Sequence, residues 1–363
     1  MDGGLVFILG AGASVHAGAP VMKKFFQCAK NLKRKLRLRS YEKDYLIVEQ
    51  TRAILRGAKV KSQFDVDNLE EVYTALEMVE LINGIDGMSV TDCKEAKLAL
   101  NNLIKITLQE SIEFPVEKKE SEGYQIIPHK AYKLLAQEAE NIRNTHPTVP
   151  VSVLTFNYDL AFDLALLQTK SKFSYCLNSA SDLRKKIRYC KLHGSLNWGI
   201  GKTTNKIECA NLNLNESLNL QDMVETSTVR LSIDDLWKSK EESLSGYPLI
   251  VPPTGEKQRL QSLIKPVWRE AAKVLKSAEV LVIIGYSFPI NDQFFKNFFS
   301  LSTIGKGDLE KLIVIDPSQE STNNFLRLLS PDMKDHFEHI KGSFEDHVND
   351  ISKIVDNYME NWH

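Results

Sequence analysis

The chain has 363 residues, enough for one large core with an added layer or for two modest domains. Hydrophobic residues make up 43% and charged residues 26%, the balance of an ordinary soluble globular fold, and a formal net charge of −1 excludes a global field that would gather nucleic acid or an acidic membrane. The five cysteines, Cys28, Cys93, Cys176, Cys190 and Cys209, form no C-x-x-C pair, which excludes a zinc ribbon, argues against a disulfide framework and fits a reducing cytoplasm.

The N-terminal run Leu5-Val-Phe-Ile-Leu9 reads as a fully buried strand of the kind found in parallel sheets. It has no basic residues before it and enters a glycine turn rather than a cleavage site, so it is not read as a signal peptide. No apolar run reaches membrane-spanning length. Gly10-Ala-Gly-Ala-Ser14 follows the strand at once, and helix-like sequence continues to about Arg39.

Residues 21–149 are mostly helical in pattern and are expected to form a helical insertion, a second and smaller domain. The basic stretch from Asn31 to Arg39 reads first as a solvated helix face, with phosphate contact as the sharper alternative. Leu69, Val72, Tyr73, Leu76 and Val79 make one apolar helix stripe, opposite a face carrying Glu70, Glu71, Glu77 and Glu80. Further helices are expected over Cys93 to Glu113 and Lys130 to Arg143, with a charged loop from Glu117 to Gly123 between them.

From Pro150 the period changes. Strands are expected at Val151–Phe156, Phe173–Cys176, Ile187–Leu192, Leu249–Val251, Val280–Ile284 and Leu312–Ile315, with a last edge strand at Phe337–Ile340. Helices are expected over Asp159–Leu167 and Val267–Ser277, and at the C-terminus to Met359. Residues 200–246 read as a polar excursion, and Pro252-Pro-Thr-Gly255 as a turn. The whole predicts an α/β fold: a Rossmann-like, doubly wound parallel sheet built from residues 1–20 and 150–363.

Polar or glycine motifs follow the carboxyl ends of the expected strands, where ligands bind in open α/β sheets. Gly10, Ala11, Gly12 and Ser14 lie between a strand and a helix, a place where backbone N–H groups meet phosphate. Val15 stands where the usual dinucleotide fingerprint has its third glycine, so a tight turn is the plain alternative. Asn157 and Asp159 end one strand and also suit capping of the next helix. His193-Gly194 ends another, and its imidazole is of the type that moves protons near neutral pH. Gly285 and Ser287 end a third, and Asp316 a fourth; Ser287 also suits a helix cap and Asp316-Pro317 a turn. His16 reads as a surface or packing residue. His336 and His339 lack a third partner, so no metal site is assigned.

Taken in order, these segments resemble the motifs of sirtuins. Gly10-Ala-Gly-Ala-Ser14 followed by Gly18-Ala-Pro20 resembles the first motif, Thr155-Phe-Asn157-Tyr-Asp159 the asparagine-x-aspartate segment, Leu192-His193-Gly194 the catalytic histidine pair, and Gly285-Tyr-Ser287 the later glycine-x-serine turn. Val21-Met22-Lys23 replaces the aspartate-phenylalanine-arginine of sirtuin deacylases, and their zinc cysteines are missing. In these departures the chain is similar to the sirtuin-like NAD hydrolases of bacterial anti-phage defence.

That resemblance implies NAD as substrate with no metal, and cleavage of the nicotinamide–ribose bond. It implies that Asn157 orients ribose or water and that His193 accepts a proton. It further implies Asp159 on the carboxamide, Ser14 and Ser287 on phosphates, and Asp316 on the adenosine ribose. It implies control by homo-oligomerisation or by an activating partner such as a HerA-type hexameric ATPase. The alternatives are a non-catalytic NAD- or ADP-ribose-binding subunit and an NAD-dependent protein deacylase.

Overall fold

Continuous apolar runs become buried strands here. The computed structural model describes residues 4–35, 37–57, 64–119, 123–177, 185–212, 228–238, 243–245, 248–251, 258–288, 293–302 and 309–359. The strands are β1 (Gly4–Leu9), β2 (Phe114–Lys119), β3 (Gly123–Ile126), β4 (Val151–Thr155), β5 (Phe173–Ser174), β6 (Ile187–Lys191), β7 (Gly194–Ser195), β8 (Trp198–Gly201), β9 (Ile207–Cys209), β10 (Thr228–Val229), β11 (Leu244–Ser245), β12 (Leu249–Ile250), β13 (Ala278–Ile284), β14 (Lys311–Ile315) and β15 (Phe337–Ile340). The helices are α1 (Phe25–Arg34), α2 (Glu42–Leu55), α3 (Leu69–Leu81), α4 (Val90–Ser111), α5 (Lys130–Thr145), α6 (Ala161–Gln168), α7 (Ile233–Lys238), α8 (Gln258–Lys276), α9 (Gln293–Ser302), α10 (Gln319–Leu328) and α11 (Phe344–Met359).

Seven strands form one sheet in the order β15-β14-β13-β1-β4-β6-β5. Every pair in it is parallel. All seven carboxyl ends therefore share one edge. From the central β1 the chain fills one side with β4, β5 and β6, then returns to fill the other with β13, β14 and β15. That reversal is the switch point of a doubly wound, Rossmann-like sheet, and it lies at the strand that carries the first glycine turn.

Alternate residues of β1 serve two cores, as the period of a strand requires. Leu5, Phe7 and Leu9 join the core that continues through α1–α6 and α11. Val6 and Ile8 join the core covered by α8, α9 and α10. The expected stripe on α3 is buried at all five positions, Leu69, Val72, Tyr73, Leu76 and Val79. A Ser89–Asp92 capping box starts α4 three residues before Cys93.

Some expectations needed correction. The charged segment expected as a loop is largely a hairpin: β2 and β3 pair antiparallel from Val116–Ile126 to Lys119–Gly123, with residues 120–122 outside the described residues. Burial of Phe114 and Ile126 anchors it, so apolar ends outweigh the charged middle. The helix expected to run to Arg39 is broken. A 3-10 turn over Ala11–Ala17 stops at Gly18, whose φ of 99° is left-handed, and Pro20 precedes the restart. The polar excursion pairs with the end of β8 into the small sheet β11-β8-β9, which begins at buried Trp198, while residues 213–227 and the expected turn at 252–255 lie outside the described residues. Among the described residues no helix is long and apolar enough to cross a membrane.

Candidate functional site

Five of the polar motifs sit on the carboxyl edge of the large sheet, and four of them interlock at its centre. The turn after β4 is tied to the turn after β6 by backbone bonds: Leu192 N donates to Thr155 O at 2.8 Å and Leu196 N to Tyr158 O at 3.0 Å. Between those two ties lie Asn157 on one strand end and His193 on the other. The His193 ring stands 5.2 Å from that of Phe156 and 6.1 Å from that of Tyr158, the two chain neighbours of Asn157. The ring of Trp268 on α8 lies 6.5 Å from that of His193. The structure thus brings Asn157 and His193 to the same ledge.

The orientation of the Asn157 amide follows from its partners. Its Nδ2 donates to Gly10 O at 2.8 Å and to Ser14 Oγ at 3.0 Å. A backbone carbonyl only accepts, so nitrogen must face that way. Both amide hydrogens are then committed, and the carbonyl oxygen Oδ1 is the end able to accept from a ligand or water.

Ser14 is the hub beneath. Its hydroxyl is buried and donates to Asp159 Oδ2 at 2.7 Å, while Asn157 donates to it. The Tyr132 hydroxyl, also at 2.7 Å, fills the remaining lone pair. One donor and two acceptors are all a hydroxyl has. A phosphate reaching Ser14 must therefore displace a protein partner. Asp159 also faces inward: it is 5% exposed, and its Oδ1 accepts from Ala161 N at 3.0 Å, at the start of α6.

The glycines meet each other rather than an open groove. Gly12 N donates to Gly285 O at 2.8 Å, and a Cβ on Gly10 would lie 2.5 Å from the same carbonyl. The turns after β1 and β13 are adjacent strand ends, and only glycine lets their backbones pass this closely. Phe156 stacks on Tyr286 at 4.9 Å, which joins the Asn157 turn to the Gly285 turn. Ala11 opens the 3-10 turn beside them.

Ser287 is exposed on the β13 turn, and its carbonyl accepts from Asn324 at 3.1 Å. Asp316 lies one strand further out. It is 7% exposed, and its Oδ1 accepts from Ser318 N at 2.8 Å and Ser321 Oγ at 2.7 Å, holding the first turn of α10. Both thus share the carboxyl edge, after β13 and β14, whereas Asn157 and His193 follow β4 and β6.

Sequence reading missed Tyr132, Asp163, Tyr175, Lys191 and Asn197, which form the polar layer under the ledge. Lys191 Nζ reaches Asp163 Oδ2 at 2.9 Å with both side chains fully shielded from solvent. A lysine closing a buried strand and an aspartate inside an otherwise apolar helix were the available signals, since neither is stable alone in a core. Tyr132 gave none, because it falls within the apolar stripe of α5. Among the described residues no group of three or more His, Cys, Asp or Glu side chains is placed to hold a metal ion.

His16 packs among His129, Tyr132 and Phe344, with ring centroids at 5.6, 4.9 and 5.5 Å. Burial, and then the neighbouring His129, push its pKa from 6.5 down to about 4. The unfolded chain takes up a proton below pH 6.5 that the folded chain refuses. The stability His16 contributes is therefore complete above pH 6.5 and declines as pH falls towards 4. Urea midpoints of a His16→Phe variant should fall less steeply over this window than those of the parent, and parallel curves would refute the assignment.

No family model and no curated protein matches the chain. Among solved structures, one titled as Sir2 with a p53 peptide and NAD+ is 13% identical, covering 97% of this chain and 93% of its own at a TM-score of 0.42. Another, on the mechanism and regulation of Sir2 enzymes, is 13% identical over 99% and 94% at 0.41. A third, of Sir2Tm with a propionylated peptide, is 14% identical over 97% and 93% at 0.39.

Proposed function

We propose that this chain hydrolyses NAD at the nicotinamide–ribose bond, giving nicotinamide and ADP-ribose. The observation that carries the reading is the ledge itself: an asparagine whose amide oxygen is turned outward by two donated hydrogen bonds, stitched through the backbone to a half-buried histidine. The motif order along the chain supports the same reading, because the asparagine, histidine and glycine-serine segments resemble those of the sirtuin-like NAD hydrolases.

The chemistry asks little more of the protein. The pyridinium leaves as neutral nicotinamide, and the ribose passes through an oxocarbenium-like state that water captures. Asn157 Oδ1 orients the attacking water or a ribose hydroxyl, and His193 takes up the proton released as the new C–O bond forms. The aromatic wall of Phe156, Tyr158 and Trp268 shields the reacting ring from bulk water. Ser14 and Asp159 act beneath Asn157, and the adenosine half extends along the edge towards Ser287 and Asp316.

A cell cannot tolerate unrestrained NAD loss, so the reading includes control by self-association or by an activating partner such as a HerA-type ATPase, and a role in anti-phage defence. Incubating the purified chain with NAD, alone and with such a partner, and separating products by chromatography tests it. Equimolar nicotinamide and ADP-ribose are expected. Tight NAD binding with no product in any arm would replace the reading with a binding subunit. Acyl-ADP-ribose formed only with an acyl-lysine peptide would replace it with deacylation.

A further inference from the structure

An ion pair with no contact to solvent needs a reason, because a neutral pair of similar shape packs as well or better. Lys191 ends β6 and Asp163 lies on α6, a helix buried from Ala161 to Leu166. Their charged atoms are 2.9 Å apart. Asp163 also accepts from Tyr189 at 3.0 Å and from Tyr175. What the neutral pair would lack is the second bond of the ammonium: Lys191 Nζ donates to the backbone carbonyl of Asp159 at 2.6 Å.

That carbonyl belongs to the turn that presents Asn157. A second arm runs the other way. The Tyr175 hydroxyl accepts from Asn197 Nδ2 at 3.2 Å, and Asn197 Oδ1 accepts from Ser195 Oγ at 2.7 Å. The pair thus grips the chain two residues before His193, and two and four residues after it, while holding the turn on the neighbouring strand.

We infer that Lys191 and Asp163 are positioning residues that fix the Asn157 turn against the His193 turn. The inference rests on the proposed NAD hydrolysis for its kinetic consequence, but its structural consequence stands without it. The ion pair acts through Asp159 and Asn197 and touches no reacting atom. Removing its charges should loosen the two turns and lower kcat while leaving KM near its starting value, because binding contacts along the sheet edge persist.

The test compares the parent with Lys191→Met, with the double variant Lys191→Met/Asp163→Asn, and with Tyr175→Phe. The double variant nearly keeps volume and the bond from Tyr175, turns Tyr189 from donor to acceptor, and has no donor for the Asp159 carbonyl. Lys191→Met alone should lower Tm, because it strands a buried carboxylate. The double variant should regain most of that Tm, yet keep a loss in kcat of about 10–100-fold and show faster amide exchange over 155–160. Tyr175→Phe, which leaves both charges in place, should speed exchange over 192–197 and lower kcat several-fold, and it decides the matter if the double variant does not fold. Recovery of kcat and native exchange together with Tm in the double variant, or native exchange and kcat in Tyr175→Phe, would overturn the inference. A parent that releases no nicotinamide either alone or with an activating partner would end the NAD hydrolysis reading, and the exchange comparison would still decide the tether.

Discussion

Replacing His193 by alanine is expected to lower nicotinamide release from NAD by about 10²–10⁴-fold, the range of a lost general acid–base group, with the backbone of its turn still held in place. The backbone argues for the second half of that statement. His193 O accepts from Val251 N at 2.8 Å, and its neighbours Leu192 and Leu196 keep their ties to Thr155 and Tyr158 whatever the side chain. Asn157→Ala should differ in kind. It removes bonds to Gly10 and Ser14 together, so about 1–3 kcal/mol of stability should go with the activity. Asn157→Asp separates the two effects further. An acceptor would then face the Gly10 carbonyl, which also only accepts, so the near-isosteric change should destabilise at least as much as alanine. Turnover and urea midpoints on the three variants check the pattern. Full turnover by both His193→Ala and Asn157→Ala would sink the catalytic assignment.

Long-range order in this fold was legible where a single physical signal dominates. The runs at Leu5–Leu9 and Val280–Ile284 are apolar without alternation, short, and followed by glycine turns, which suits strands covered on both faces. The α3 stripe was legible because five apolar positions share one helical face. The hairpin of β2 and β3 was not, since its middle is charged and its stability comes from Phe114 and Ile126 at the ends and from pairing of β10 with β2. At the site, the motif residues were legible but several of their bonds were not. Ser14 reads as a phosphate ligand in sequence, and only the fold shows its hydroxyl saturated by Tyr132, Asn157 and Asp159. The Lys191–Asp163 pair was legible only as two isolated anomalies, because nothing in the spacing of 163 and 191 says that they meet.

The glycines carry the second large expectation. Gly285→Ala should cost about 2–5 kcal/mol, combining a left-handed backbone with a direct clash. Its φ is +62°, and an added Cβ would lie 2.2 Å from Ala13 N and 2.4 Å from the Gly12 carbonyl carbon. Those are backbone atoms of the turn after β1, so no side-chain rotation relieves the contact. The turn itself must move, and Gly10 and Ser14, the two anchors of Asn157, move with it. The variant should therefore lose activity even at temperatures where it stays folded. Gly57 supplies the contrast, since among the described residues a Cβ there meets nothing within 4 Å. Gly57→Ala should be neutral or stabilising by up to about 1 kcal/mol, because alanine restricts the unfolded chain. Urea midpoints compare the two substitutions directly. If glycine at 285 served only to admit a ligand, alanine there would spare stability and weaken binding alone. A midpoint near the parent's would therefore show that the two turns are not locked together as their backbones imply.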